Sequence, residues 1–100
     1  MGRTIIGIPF EWDDEKDKSN KKKHGLSFAT AVKAFNDDCR VEIYDEFHSQ
    51  DEDRFIVIGL AEDIVFLVYT IREETCRIIS ARLATTEERR LYYGNNKNNS

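Results

Sequence analysis

Two apolar stretches, 54–60 (RFIVIGL) and 64–71 (IVFLVYTI), lie only three residues apart, at Ala61-Glu62-Asp63. Each is short and rich in β-branched residues, which marks a strand rather than a buried helix. Three residues cannot carry a parallel crossover, so the two must form an antiparallel hairpin. The second stretch has no polar residue until Thr70 and reads as a central strand. A further strand, 76–83 (CRIISARL), follows the turn Arg72-Glu73-Glu74-Thr75, and an alternating one, 41–45, precedes the polar loop 47–53. The longest apolar run falls far short of the roughly 20 residues needed to span a bilayer.

The segments on either side are helical. Asp13 is a good N-cap, and Gly25 is placed to end the following helix in a left-handed conformation. Between them DEKDKSNKKK has no apolar residue. A helix polar on every side is marginal alone, so this one must be held by its lysine stems, by Asn20 and by its flanks Trp12 and Leu26. Ser27 caps a second helix whose Phe28, Ala31, Val32 and Phe35 form one stripe, ended by Asn36-Asp37-Asp38. Thr85 or Thr86 starts a last helix, TTEERRLYY, with Gly94 after its end. Residues 5–12, with Ile6, Ile8, Phe10 and Trp12 alternating, make a first strand; Pro9 removes a ladder donor, so this is an edge strand or begins properly after Pro9. The expected fold is α+β: two N-terminal helices, an antiparallel meander and a C-terminal helix. One domain covers residues 1–93, and the Asn-rich tail 94–100 is too polar to offset its ordering entropy and is expected to be disordered.

The chain of 100 residues carries a net −4, unevenly spread. Residues 37–53 hold eight acids against one base, a net −7, so the remainder carries +3. Lys21-Lys22-Lys23-His24 and the arginines 72, 77, 82, 89 and 90 supply the positive charge. A local basic surface can attract a polyanion on an acidic protein. Two cysteines, Cys39 and Cys76, are too few for a disulfide scaffold, and with no secretory signal the cytoplasm is the default location. No phosphate-cradling glycine loop, HExxH or paired CxxC is present, so no metal or cofactor is expected. The strand arginines stand out: Arg54 opens one strand, and Arg77 and Arg82 bracket Ile78-Ile79-Ser80-Ala81 in the last. Guanidinium forks suit phosphate oxygens, although pairing with the many carboxylates is the commoner fate of such residues. Five residues apart, Arg77 and Arg82 point to opposite faces of a regular strand; twist, a bulge or a strand end before Arg82 would bring them together.

Phe10-x-Trp12-Asp13, Lys16, Asn20, Lys23-His24-Gly25-Leu26 and Phe28, then Arg54-Phe55, Ile58-Gly59, Val68-Tyr69-Thr70, residues 77–82 (RIISAR) and Glu88-Arg89, resemble in order and spacing the pattern of the BrnT toxin family. The likeness covers residues 10–93. Asp14 replaces a common proline, and Asp17, Lys18 and Ser19 replace apolar or alanine positions of the first helix. The resemblance implies a RelE-like fold and the toxin half of a type II toxin–antitoxin pair: an endoribonuclease that stops translation. It also implies a BrnA-like antitoxin partner, which neutralises the toxin and through which alone the complex meets operator DNA.

RNA cleavage by the ribose 2′-hydroxyl needs backbone positioning, charge stabilisation and proton movement. On that reading Arg54, Arg77 and Arg82 stabilise charge, and His24, in a family-matching position, is the candidate proton shuttle; a helix C-cap role is the equal alternative for His24. Lys23, Tyr69, Thr70, Ser80 and Arg89 are candidate RNA contacts, with Tyr69 able to stack a base if it is not core. The competing expectation is a non-catalytic module that binds the antitoxin and acts as co-repressor, which the −7 stretch would suit by charge complementarity. Direct DNA binding lacks a recognition-helix pattern.

Overall fold

The computed structural model describes residues 4–5 and 8–97. Its elements are β1 (Thr4–Ile5), β2 (Ile8–Glu11), α1 (Asp14–His24), α2 (Phe28–Ala31) with a 3₁₀ turn (Val32–Asn36), β3 (Val41–Tyr44), β4 (Phe55–Ala61), β5 (Asp63–Arg72), β6 (Thr75–Leu83) and α3 (Thr86–Lys97). The class is α+β, as the sequence predicts. Strands run in the order β1-β2-β6-β5-β4-β3. The β3–β6 portion is the expected antiparallel meander.

Two expectations change. In place of one first strand, β1 and β2 pair antiparallel with each other, and β2 pairs parallel with β6, Phe10 opposite Cys76 and Glu11 opposite Arg77, so the sheet is mixed and β2 lies inside it rather than at its edge. The intervening α1, α2 and meander return the chain to that edge, a long-range pairing that short-loop reasoning does not reach. Pro9, which cannot donate to a ladder, lies outside this parallel pairing and opposite Thr4; Ile6 falls outside the described residues. The last helix continues through Gly94 to Lys97. Gly94 does not adopt a positive φ, and a glycine in helical conformation costs only about 1 kcal/mol relative to alanine. The rest of the expected tail, 98–100, lies outside the described residues.

The two sheet faces are covered differently. On one face α1, α2 and the 3₁₀ turn bury Phe10, Phe28, Phe35, Leu67 and Ile78 in the main core. Gly59 allows the 3₁₀ turn its close approach: a Cβ there would sit 3.0 Å from the Ala34 carbonyl oxygen and 3.1 Å from the Ala34 Cβ. On the other face α3 covers one end only, where Tyr92 packs with Ile58 and Ile64. The polar α1 is held as expected. Asp13 caps it, and Gly25 ends it at φ 70°. Asn20, buried, donates to the carbonyls of Leu26 (2.9 Å) and Ala81 (2.7 Å) and accepts from the Ala81 N–H (3.2 Å). One side chain thereby completes the β6 edge beyond the reach of β2. Asp17 accepts from the Phe28 N–H at 2.8 Å and ties α1 to the start of α2.

No helix among the described residues is long and apolar enough to cross a membrane.

Candidate active site on the open sheet face

The register of β5 and β6 determines what the uncovered face presents. Phe66 lies opposite Arg82, Val68 opposite Ser80 and Thr70 opposite Arg77, while Tyr69 lies opposite Ile78. Ile79 is therefore an extra residue, a β-bulge. Phe66, Val68 and Thr70 alternate along β5 and share a face, and cross-strand partners share it too. The bulge thus brings Arg77, Ser80 and Arg82 to one side of the sheet despite the odd spacing of the two arginines. Arg54, one residue before Phe55 (opposite Tyr69), takes the same side.

Beside the 45–54 loop this face forms a hollow of about 370 Å³, lined by Arg54, Ile56, Phe66, Val68, Ser80 and Arg82, with Asp45 and His48 at its loop side. A second hollow, about 240 Å³, continues from it across Ile79 and Ser80 to Lys23 and His24 at the end of α1. A third, about 280 Å³, shares His48 and Arg54 and opens under Phe47, which is 85% exposed. Arg54, Ser80 and Arg82 thus border one hollow, and Ser80 with Lys23 and His24 borders the neighbouring one.

The arginines differ in how far they are committed. Arg82 makes a two-pronged pair with Glu88 (2.8 and 2.9 Å) and lies 4.0 Å above the Phe66 ring. The Arg82 hydrogen bonds hold the Glu88 carboxyl below its ordinary range against the opposing effect of burial. Glu88 also receives the Thr85 N–H (2.9 Å) and donates its own N–H to the Thr85 hydroxyl (3.2 Å), a capping box that starts α3. Arg77 makes a single-pronged pair with Glu11 at 3.2 Å. The Arg54 guanidinium makes no ion pair among the described residues.

Three expected RNA contacts are engaged within the fold. Tyr69 lies on the opposite face, buried between Phe35 and Phe55, where desolvation pushes its phenol up to about 12; it is core because it alternates with Thr70 and Val68. Thr70 is on the right face but buried, and its hydroxyl donates to the Asp53 carbonyl at 2.5 Å. Arg89 pairs with Asp63 at 2.6 Å and fastens α3 to the β4–β5 turn.

The structure adds a pair that the sequence reading passed over. Asp45, only 12% exposed in its side chain, faces His48 Nδ1 at 2.9 and 3.1 Å, and the imidazole is 68% exposed. The signal was an acid three residues before a histidine, lost among the acids of a loop read only as polar. Among the described residues no group of three His, Cys, Asp or Glu side chains is placed to hold a metal ion.

Guanidinium groups beside hydroxyl and imidazole groups, on the exposed side of a small α+β sheet, have the chemistry to hold phosphate oxygens. The family model described as "Ribonuclease toxin, BrnT, of type II toxin-antitoxin system" matches residues 12–88, which sets the chain among the ribonuclease toxins of type II toxin–antitoxin systems. The 1.1 Å crystal structure of the Brucella abortus ribonuclease toxin BrnT superposes with a TM-score of 0.59 at 25% identity, covering 79% of this chain and 99% of that one. No curated protein sequence matches the chain. With the family model spanning most of its length, this chain belongs to the BrnT family.

Proposed function

We propose that this chain is a metal-independent endoribonuclease that cleaves RNA in the depression on the open sheet face and thereby inhibits translation, and that a BrnA-like antitoxin neutralises it and carries the contact with operator DNA. The observation that supports this reading best is the Ile79 bulge, which gathers Arg77, Ser80 and Arg82 beside Arg54. A bulge next to a site that it re-aims is a retained feature rather than a defect. The RelE-like description belongs to the same proposal, since an open sheet face flanked by helices suits it.

In this reading the uncommitted Arg54 fork takes the scissile phosphate and stabilises the charge of the phosphorane formed by 2′-hydroxyl attack. Arg77 and Arg82 give up part of their pairing with Glu11 and Glu88 to the incoming phosphates. Ser80 offers a hydroxyl between them. Lys23 and His24, bordering the neighbouring hollow, bind the neighbouring phosphates of the strand. The attacking group is the substrate's own, so no metal is required to generate a nucleophile.

Specific observations also favour a non-catalytic, antitoxin-binding module: Arg82 and Arg77 already have carboxylate partners, and Asp38, Glu46 and Asp51 make no ion pair among the described residues, leaving acidic surface for a basic segment. Inducible expression in bacteria separates the two. Growth arrest with RNA loss for wild type, absent for Arg54→Ala, is expected of the nuclease. Soluble wild-type protein that leaves growth and RNA intact would establish the module instead.

A further inference from the structure

We infer that His48, held from behind by the partly buried Asp45 carboxylate at the mouth of the hollow that contains Arg54, is the group that takes the 2′-hydroxyl proton; the inference rests on the ribonuclease reading above. Three observations carry it. First, the carboxylate receives both the His48 N–H (3.3 Å) and the ring Nδ1 (2.9 Å). A proton held on Nδ1 by that carboxylate leaves the Nε2 lone pair as the acceptor. Nε2 has no hydrogen-bond partner among the described residues, and the ring is largely exposed. Second, His48 and Arg54 border the same two hollows, so a phosphate on the Arg54 fork shares a hollow with the imidazole.

Third, the loop that carries His48 is fastened to the strand end that carries Arg54. The Asp45 N–H donates to the Arg54 carbonyl (2.9 Å), the Ser49 hydroxyl donates to the Asp45 carbonyl (2.6 Å), and the Arg54 N–H donates to the Ser49 hydroxyl oxygen (2.8 Å). Thr70 holds the Asp53 carbonyl from the sheet side. Proton carrier and phosphate fork are thus set at a fixed separation, which is what proximity catalysis requires. Among the described residues His24 has no carboxylate partner, and it borders the other hollow beside Lys23.

The step balances within the substrate. The 2′-oxygen–phosphorus bond forms as its proton passes to Nε2, the bond from phosphorus to the 5′-oxygen breaks, and the proton returns to that oxygen through solvent. The products are a 2′,3′-cyclic phosphate and a 5′-hydroxyl, with no net proton change. The charged groups around the ring are Asp45 behind it, Arg54 in both hollows, Arg82 in the inner one, and Asp51 and Glu52 in the outer one.

The test uses the whole chain on a synthetic RNA, with kcat and KM followed across pH. Wild type is expected to show an acid limb, the rate rising with pH as the imidazole loses its proton. His48→Gln is expected to lower kcat by about 10²- to 10⁴-fold, the usual contribution of general acid–base catalysis, and to abolish that limb. His48→Ala is expected to recover part of kcat with added imidazole, and Asp45→Asn, which leaves the ring in place without the carboxylate behind it, to lower kcat less than His48→Gln does. His24→Gln is expected to raise KM and keep the limb. His48→Gln with wild-type kcat and an intact limb would overturn the inference and leave the nuclease reading standing. A wild-type chain that cleaves no RNA would overturn both.

Discussion

Asn20→Ala is expected to detach α1 from the sheet. The helix has no apolar residue between Asp14 and His24, so hydrophobic burial contributes little to holding it. Asn20 makes three hydrogen bonds to backbone groups of Leu26 and Ala81 in a buried setting. At a net of about 1 kcal/mol each, their loss removes about 3 kcal/mol. A domain of this size holds about 5–15 kcal/mol in total, and the melting temperature should fall by on the order of 15 °C. Urea unfolding monitored at Trp12, which packs edge-on to Phe28, measures the loss, and hydrogen exchange at the Ala81 amide locates it. Asn20→Asp keeps the acceptor toward Ala81 but loses both donated bonds and sets a charge against two carbonyl oxygens, so it should lose at least as much. A loss below about 1 kcal/mol with the Ala81 amide still protected would refute the assignment of Asn20 as the peg of α1.

Four further outcomes follow from the same contacts. Gly59→Ala should cost about 1–3 kcal/mol in urea melts, because its Cβ would press on Ala34 of the 3₁₀ turn. Glu74→Gly should instead raise stability by about 1 kcal/mol in the same melts, since Glu73 and Glu74 both hold positive φ (48° and 64°) in a two-residue hairpin. Thermal melts across acidic pH should show stability falling as Glu88 and Asp37 take up protons. Arg82 holds Glu88 below its ordinary 4.5; burial pushes Asp37 up, but bonds from Tyr92, Leu60 and Cys39 hold it below its ordinary 3.8. Depressed values in the fold mean a contribution present in full above the ordinary values and lost as pH drops through the folded ones, and Glu88→Gln should flatten part of that loss. The same Glu88→Gln variant should bind RNA several-fold more tightly in a filter or anisotropy assay, because Arg82 no longer has a carboxylate to leave.

The strands of the meander and the three helical segments were legible because their apolar spacing and capping residues are local signals. The cap at Asp13 and the left-handed Gly25 stand where the sequence puts them. The parallel pairing of β2 with β6 was not legible, because it joins residues more than sixty positions apart across an unbroken meander. The bulge was half legible. Buried Cys76, Ile78 and Ala81 step by two and then by three, but Ile79 is apolar as well, and the sequence alone does not say which isoleucine turns inward. Tyr69 shows the reverse case. Its aromatic ring suits stacking on a base, and only the register reveals that it stacks on Phe35 and Phe55 instead. Arg54 stands just before Phe55 at the start of β4, where the sequence puts it. That it lacks the carboxylate partner found for Arg82 depends on where the acidic loop folds, with Glu52 turned to Arg72 and Asp53 to Tyr44.

Metal-free cleavage of RNA on the arginine-lined sheet face is read from its products in the presence of EDTA. Purified chain and a defined RNA are incubated with the chelator, and the new ends are identified by mass spectrometry beside an Arg54→Ala control. Wild type should yield 2′,3′-cyclic phosphate and 5′-hydroxyl ends at an undiminished rate, and Arg54→Ala should yield almost none. Cleavage that stops with EDTA, or that leaves 5′-phosphate ends, would contradict attack by the substrate's own hydroxyl at this site.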